Sequence, residues 1–304
     1  MLGLLLNAIA RGLARLSRPA MLRCGAWLGW FYGHVVRQRR AAALAALRRS
    51  LPALSAAEAT AALDGMYRNL ATNIVEILRV DGGAEDSDPG LFSIEGEEHA
   101  IAALAQGHGA LLLLAHYGSW ELLGMFAAQR GYPLHVVVKK FKNDAVDRLW
   151  NRLRARYGIK VVYARNAARP ILRALRENAL VAFMLDQHRP RGQGVFVQFF
   201  GRPASTSPGL AILSSQAQAP VIPAFICRRA DGGHHIRVLP ALPPPPDRTP
   251  ATVLRYTQRY TTILEDEIRA QPAQWLWIHR RWKAQPQPGD LIATLESATG
   301  HDLT

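Results

Sequence analysis

Leu111-Leu112-Leu113-Leu114-Ala115-His116-Tyr117-Gly118-Ser119-Trp120-Glu121 is the stretch on which the fold turns. Its apolar run reads as a buried strand, Gly118 permits a sharp turn, and Ser119 ahead of a helical pattern reads as an N-cap. His116 and Glu121 therefore flank a strand-to-helix corner, where α/β proteins place chemistry. On one continuous helix the two side chains would diverge by roughly 140°, but a turn between them lets the carboxylate fold back onto the imidazole. Glu121 in a first helical turn stays ionised, and a carboxylate that keeps one imidazole nitrogen protonated leaves the other free to accept a proton. The pair reads as a catalytic base and its orienter; the plain alternative is a capping Glu beside a structural His.

Outward from this corner the pattern alternates. Strands are expected over residues 134–138, 159–163 and 180–185, with helices over 144–157 and 170–176 between them. A helix over 207–218, strands over 220–227 and 235–239, and a helix over 252–270 follow. Such alternation means an α/β fold with a mixed, largely parallel sheet flanked by helices. Upstream the chain is helical. Residues 2–16 repeat leucine and isoleucine at helical spacing with Arg11, Arg15 and Arg18 opposite. Residues 20–36 carry Trp27, Trp30, Phe31 and Tyr32 but include Arg23 and His34. The latter falls short of the ~20 apolar residues that span a bilayer, so this segment reads as helices lying in a membrane surface, with a packed helix pair as the alternative. Asn69, Asn73 and Glu76 share a face of a helix over 55–79. The organisation expected is membrane-associating helices over 1–40, an α/β domain over 41–285 and a tail over 286–304, with a surface loop over 81–90.

Lys and Arg number 37 against 23 Asp and Glu, a formal charge of +14 with a pI near 10.5, which calls for an anionic partner without choosing among membrane, phosphorylated substrate and nucleic acid. No helix-turn-helix, RNP or finger pattern supports nucleic acid, and none is expected as a partner. Cys24 and Cys227 have no metal or redox spacing, so no metal site or cofactor is expected. Lys139 and Lys140 follow a strand end, where phosphate or carrier-protein contact competes with plain solvation. Arg148, Arg152 and Arg156 repeat along one helix face and are expected to face water. Asp186-Gln187 ends a buried strand ahead of Arg189, so the carboxylate can orient a base or hydroxyl and the arginine can pair with phosphate oxygens.

Four further blocks join the corner. They are Met184-Leu185-Asp186-Gln187, the run from Gly194 to Gly201, Ala204-Ser205-Thr206, and Trp275-Leu276-Trp277-Ile278-His279-Arg280-Arg281-Trp282-Lys283. In this order they resemble the lipid A biosynthesis lauroyl/myristoyl acyltransferases, a branch of the lysophospholipid acyltransferase superfamily with an H-x-x-x-x-D/E motif. The resemblance implies transfer of a fatty acyl chain from acyl carrier protein to a hydroxyl of a lipid A precursor, at the cytoplasmic face of the inner membrane, with His116 and Glu121 catalytic. Lys139, Lys140, Asp186, Gln187, Arg189, Arg280 and Arg281 are the candidate substrate-binding residues. The E-G-T-R phosphate block of general glycerolipid acyltransferases is absent, which disfavours a glycerol-phosphate acceptor. Another lipid or glycolipid acceptor (a lysophospholipid or an ornithine lipid), a basic nucleic-acid-binding protein and a membrane scaffold without catalysis are the alternatives.

Overall fold

The structure is a computed structural model that describes residues 2–83, 90–290 and 292–293. Four helices come first: α1 (Leu2–Ala14), α2 (Arg18–Phe31), α3 (Arg40–Ser50) and α4 (Ala56–Asp81), with a π-helical turn at Tyr32–Val36 after α2. Then follow β1 (Phe92–Glu95), α5 (Glu97–Leu104), β2 (Ala110–Leu114), α6 (Trp120–Gln129), β3 (Leu134–Val138), α7 (Asp144–Arg156) and β4 (Lys160–Tyr163). The chain continues through α8 (Ala168–Arg176), β5 (Leu180–Met184), β6 (Val195–Phe199), β7 (Arg202–Thr206), α9 (Gly209–Ala217), β8 (Val221–Arg228), β9 (His234–Val238) and α10 (Pro250–Ala270).

Seven strands form one sheet in the order β1-β9-β8-β2-β5-β3-β4, and β6 with β7 forms a separate antiparallel ribbon. Within the sheet only β8 and β9 pair antiparallel, so the mixed, largely parallel reading holds. β2 lies between β5 and β8, and all five of its residues are buried, which explains its uninterrupted apolar run. The sequence pattern does not reveal β1, α5 or the β6–β7 ribbon. The single strands among them are short, and β1 follows directly on a Gly-, Asp- and Pro-rich segment of which residues 84–89 lie outside the described set.

α4 is capped by a reciprocal pair, in which Ser55 Oγ accepts from Glu58 N (3.2 Å) and Glu58 Oε2 from Ser55 N (2.8 Å). Its length lets it carry both the N-terminal helices and the corner between β2 and α6. α2 lies against it through glycines: a Cβ at Gly25 would fall 2.5 Å from Thr72 Oγ1, and one at Gly29 2.5 Å from Arg68 Cα. The opposite side of the helix pair exposes Leu4, Leu5, Trp27 and Trp30, each more than half accessible. No helix among the described residues is long and apolar enough to cross a membrane. The arginine face of α7 is exposed at Arg148, Arg152 and Arg156, as expected, and two of the three also reach neighbouring helices. Arg152 bonds Asp81 (2.7 Å) and Asn7 (3.0 Å), and Arg156 donates to Val80 O (3.3 Å), so these cations dock α7 onto α1 and α4 while also meeting solvent.

Candidate active site

The last paired residues of β2 and β5 are Leu114 and Met184. Two residues further on each strand stand His116 and Asp186, so parallel register alone brings them side by side at the carboxyl edge of the sheet. His116 Nδ1 lies 2.9 Å from Asp186 Oδ1, and the His116 backbone N–H (3.1 Å) and Trp275 Nε1–H (2.9 Å) both donate to Asp186 Oδ2. Asp186 is 2 % exposed. Burial opposes its charge, but His116 and these donors outweigh burial and hold the carboxyl at about 2. An ionised Asp186 fixes the proton on Nδ1 and leaves the Nε2 lone pair as the acceptor. Burial likewise disfavours the imidazolium; Asp186 foremost and Glu121 after it reverse the balance, so the His116 pKa is raised.

The corner after His116 is held by its backbone. Gly118 has φ +56°, and a Cβ there would lie 1.6 Å from Ile226 O, so only glycine fits. Ser119 occupies the N-cap position of α6, but its hydroxyl makes no capping bond and is buried without a partner. No serine or cysteine bonds His116 among the described residues. The Gln187 amide nitrogen lies 3.2 Å from Nε2 and 3.5 Å from Nδ1 of His116. An atom along the Nε2 lone pair could not approach both nitrogens so evenly. The amide therefore packs against the ring and leaves that lone pair open.

Glu121 does not orient His116. Its carboxylate receives a two-pronged bond from Arg154, whose Nε donates at 3.1 Å and whose Nη2 donates to Oε1. The sequence spacing misleads because Asp186 already occupies the Nδ1 side, while Glu121 points to a buried arginine on α7. Arg154 escaped the sequence reading, although an arginine on the buried helix face with Asp147 and Leu153 was a usable signal. Arg281 is a second correction. At 1 % exposure it donates to Ser205 O (2.7 Å) and Thr206 Oγ1 and stacks over Phe199, so it braces the β6–β7 ribbon instead of gripping substrate. Arg280 is exposed and lies outside the cavity wall.

His116 lines a cavity of about 1030 Å³, at the upper end of the ~300–1,000 Å³ usual for ligand pockets. Its apolar wall is Leu112, Leu114 and Ala182 of the sheet facing Leu123 and Phe126 of α6, while Glu121, Arg154, Lys139, Lys140, Gln187 and Arg189 supply its polar groups. Lys140 also pairs with Asp144 at 3.1 Å on the surface. His188 also lines the cavity, and its N–H donates to His279 Nε2 (3.1 Å). Burial and then the cations Lys283, Arg281, Lys139 and Arg189 push the His188 pKa down. The site thus sets an imidazole and several cations on the wall of a largely apolar cavity, an arrangement suited to an apolar chain joined to an anionic group.

A family profile for bacterial lipid A biosynthesis acyltransferases matches residues 1–284. A phosphatidylinositol mannoside acyltransferase of Mycobacterium tuberculosis is 32 % identical over 195 residues, 63 % of this chain and 60 % of that protein, so the chain spans under two thirds of that relative's length. A lipid A biosynthesis acyltransferase of Haemophilus influenzae is 25 % identical over 265 residues, covering 87 % of this chain and 82 % of that one. A lipid A biosynthesis palmitoleoyltransferase of Escherichia coli is 27 % identical over 276 residues, covering 90 % and 88 %. The crystal structure of the 1-acyl-sn-glycerophosphate acyltransferase of Thermotoga maritima covers 86 % of this chain and 100 % of that one, and its TM-score of 0.40 at 12 % identity is too low to carry residue roles.

Proposed function

The chain belongs to the bacterial lipid A biosynthesis acyltransferase family, and we propose that it is an O-acyltransferase that moves a fatty acyl chain from acyl carrier protein to a hydroxyl of a lipid A precursor. The observation that carries this is the His116–Asp186 pair, whose imidazole lines a large apolar cavity together with Lys139, Lys140 and Arg189. The acyl chain lies in the cavity and its thioester carbonyl beside the imidazole. The acceptor hydroxyl donates to His116 Nε2; as it attacks, the proton passes to the imidazole, Asp186 stabilises the imidazolium, and the thiolate of the carrier leaves with that proton. Glu121 adds negative charge near the imidazolium while neutralising Arg154. The test is direct. Purified protein with acyl-carrier-protein thioester and a lipid A precursor is expected to release carrier thiol and yield a product heavier by one acyl chain. Thioester left unconsumed beside every lipid acceptor would remove the enzyme reading.

A second reading keeps the chemistry and changes the acceptor to another glycolipid. The 32 % identity to an acyltransferase of phosphatidylinositol mannosides favours it. Mass spectrometry of lipids from cells with and without the gene separates the two: loss of one acyl chain from lipid A supports the first, and unchanged lipid A beside an altered glycolipid supports the second.

The acceptor is a membrane lipid, so the exposed side of α1 and α2 becomes the docking surface on the inner membrane, at its cytoplasmic face. Leu4, Leu5, Trp27 and Trp30 enter the interface while Arg11, Arg15 and Arg23, all exposed, meet anionic headgroups. Trp27→Ala combined with Trp30→Ala is expected to weaken binding to phosphatidylglycerol-containing vesicles by roughly tenfold or more, since each ring loses its apolar burial in the bilayer. Vesicle co-sedimentation checks this, and unchanged pelleting would place the docking surface elsewhere.

A further inference from the structure

Behind the catalytic corner lies a buried polar cluster that the transfer chemistry does not use. Glu76 on α4 is 1 % exposed and accepts from His234 Nε2 (3.1 Å) and Arg228 Nη2 (2.6 Å), with Arg18 Nη1 at 3.4 Å. Burial works against its charge, but His234 and Arg228 outweigh burial and bring its pKa to about 2. One turn earlier on α4, Asn73 is 5 % exposed; its Oδ1 accepts from Arg228 Nη2 (2.7 Å) and its Nδ2 donates to Gly118 O (2.6 Å). A guanidinium can only donate, so Arg228 forces the amide oxygen toward itself and the amide NH2 toward Gly118. On the amino side of the same residue, Gly118 N–H donates to Gln274 O (2.9 Å). The Gln274 side chain in turn bonds both backbone groups of Arg228, accepting from its N (3.3 Å) and donating to its O (3.2 Å). Arg228 thus grips the corner twice, through Asn73 from α4 and through Gln274 from the segment that supplies Trp275 to Asp186.

We propose that Asn73 is a positioning residue for the acyl transfer: its amide, oriented by Arg228 and Glu76, fixes the Gly118 carbonyl and so sets the first turn of α6 against His116. What depends on this peptide is the relation between two elements. His116 ends β2 and is held by Asp186, whereas Trp120 and Glu121 open α6; Trp120 packs edge-on against the His116 ring, with centroids 5.1 Å apart. The proposal rests on the acyl-transfer reading above, and a readout that needs no activity keeps the two separable.

Asn73→Asp isolates the donor. It keeps an acceptor for Arg228 and so keeps the cluster paired, but it places an oxygen where the Gly118 carbonyl expects an N–H. Asn73→Ser, uncharged and shorter, covers the case in which the added charge next to Glu76 disturbs folding. In either folded variant kcat is expected to fall roughly ten- to a hundredfold, with KM for the acyl donor changed less than about twofold, since misplacement acts on the transition state and not on chain binding. Hydrogen exchange of the full-length protein is expected to quicken in peptides covering residues 116–123 and to stay unchanged in the strands. Wild-type exchange at the corner in both variants, or kcat within about twofold of wild type in folded protein, would overturn the assignment. A wild-type protein that transfers no acyl chain, beside variants with the localised exchange, would sink the acyl-transfer reading and leave the anchoring intact.

Discussion

His116→Ala abolishes acyl transfer while leaving the protein folded, in the outcome expected if the imidazole is the base for the acceptor hydroxyl. The backbone interactions at this position do not need the side chain: His116 N–H still reaches Asp186 and Leu276 N–H still reaches His116 O at 3.1 Å. Nor does a neighbouring imidazole take over. The nearby His279 has its pKa lowered to about 4, chiefly by burial, and its Nε2 is already occupied by the His188 N–H. General-base catalysis typically contributes roughly 10²–10⁴ in rate, so thioester consumption coupled to lipid acylation should drop by at least that range. A melting temperature near wild type would show that chemistry and not folding is lost. Activity within about tenfold of wild type would remove His116 from the mechanism.

The sequence carried the pieces of this site better than their connections. β2, β5 and β8 were legible because strands covered on both faces must be apolar throughout, and the strand-to-helix corner followed from Gly118 and the helical pattern after it. His116 and Asp186 were both visible as polar residues ending buried strands. Their contact was not, because it depends on β2 lying beside β5, and strand order leaves no trace in spacing along the chain. Glu121 shows the converse. Its proximity in sequence invited a pairing with His116, but helix geometry on α7 supplied a stronger partner in Arg154. The closing Arg280-Arg281 pair read as two substrate-binding cations. Alternation of exposure separates them, one outward and one wholly inside, where the arginine is kept by a carbonyl acceptor, a hydroxyl acceptor and an aromatic face. Asn73 and Glu76 could be seen to share a helix face, but the arginine that joins them comes from β8, 155 residues away from Asn73.

Asp186→Asn tests the orientation of the base, and the surrounding donors dictate its outcome. In the wild type, Oδ2 accepts from two fixed N–H groups, those of the His116 backbone and the Trp275 indole, while Oδ1 faces His116 Nδ1. An asparagine here must place its single oxygen toward the two donors, which turns its NH2 toward Nδ1. The imidazole then has to accept at Nδ1 and carry its proton on Nε2, the tautomer that cannot take a proton from the acceptor. The expected loss of kcat is roughly 10²–10⁴, with the acyl-donor KM little changed because the apolar cavity is untouched. The pH dependence gives a second, independent sign. Asp186 raises the His116 pKa against the burial that lowers it, so wild-type activity should fall away on acidification through an apparent pKa above the ordinary ~6.5 of histidine. Without the carboxylate, burial prevails and the acidic limb of the residual activity moves to lower pH. A pH–rate profile recorded for both proteins checks both effects. If the variant kept wild-type kcat and an unmoved acidic limb, Asp186 would not be the partner of the base, and the Glu121 carboxylate would return as the group that sets its proton.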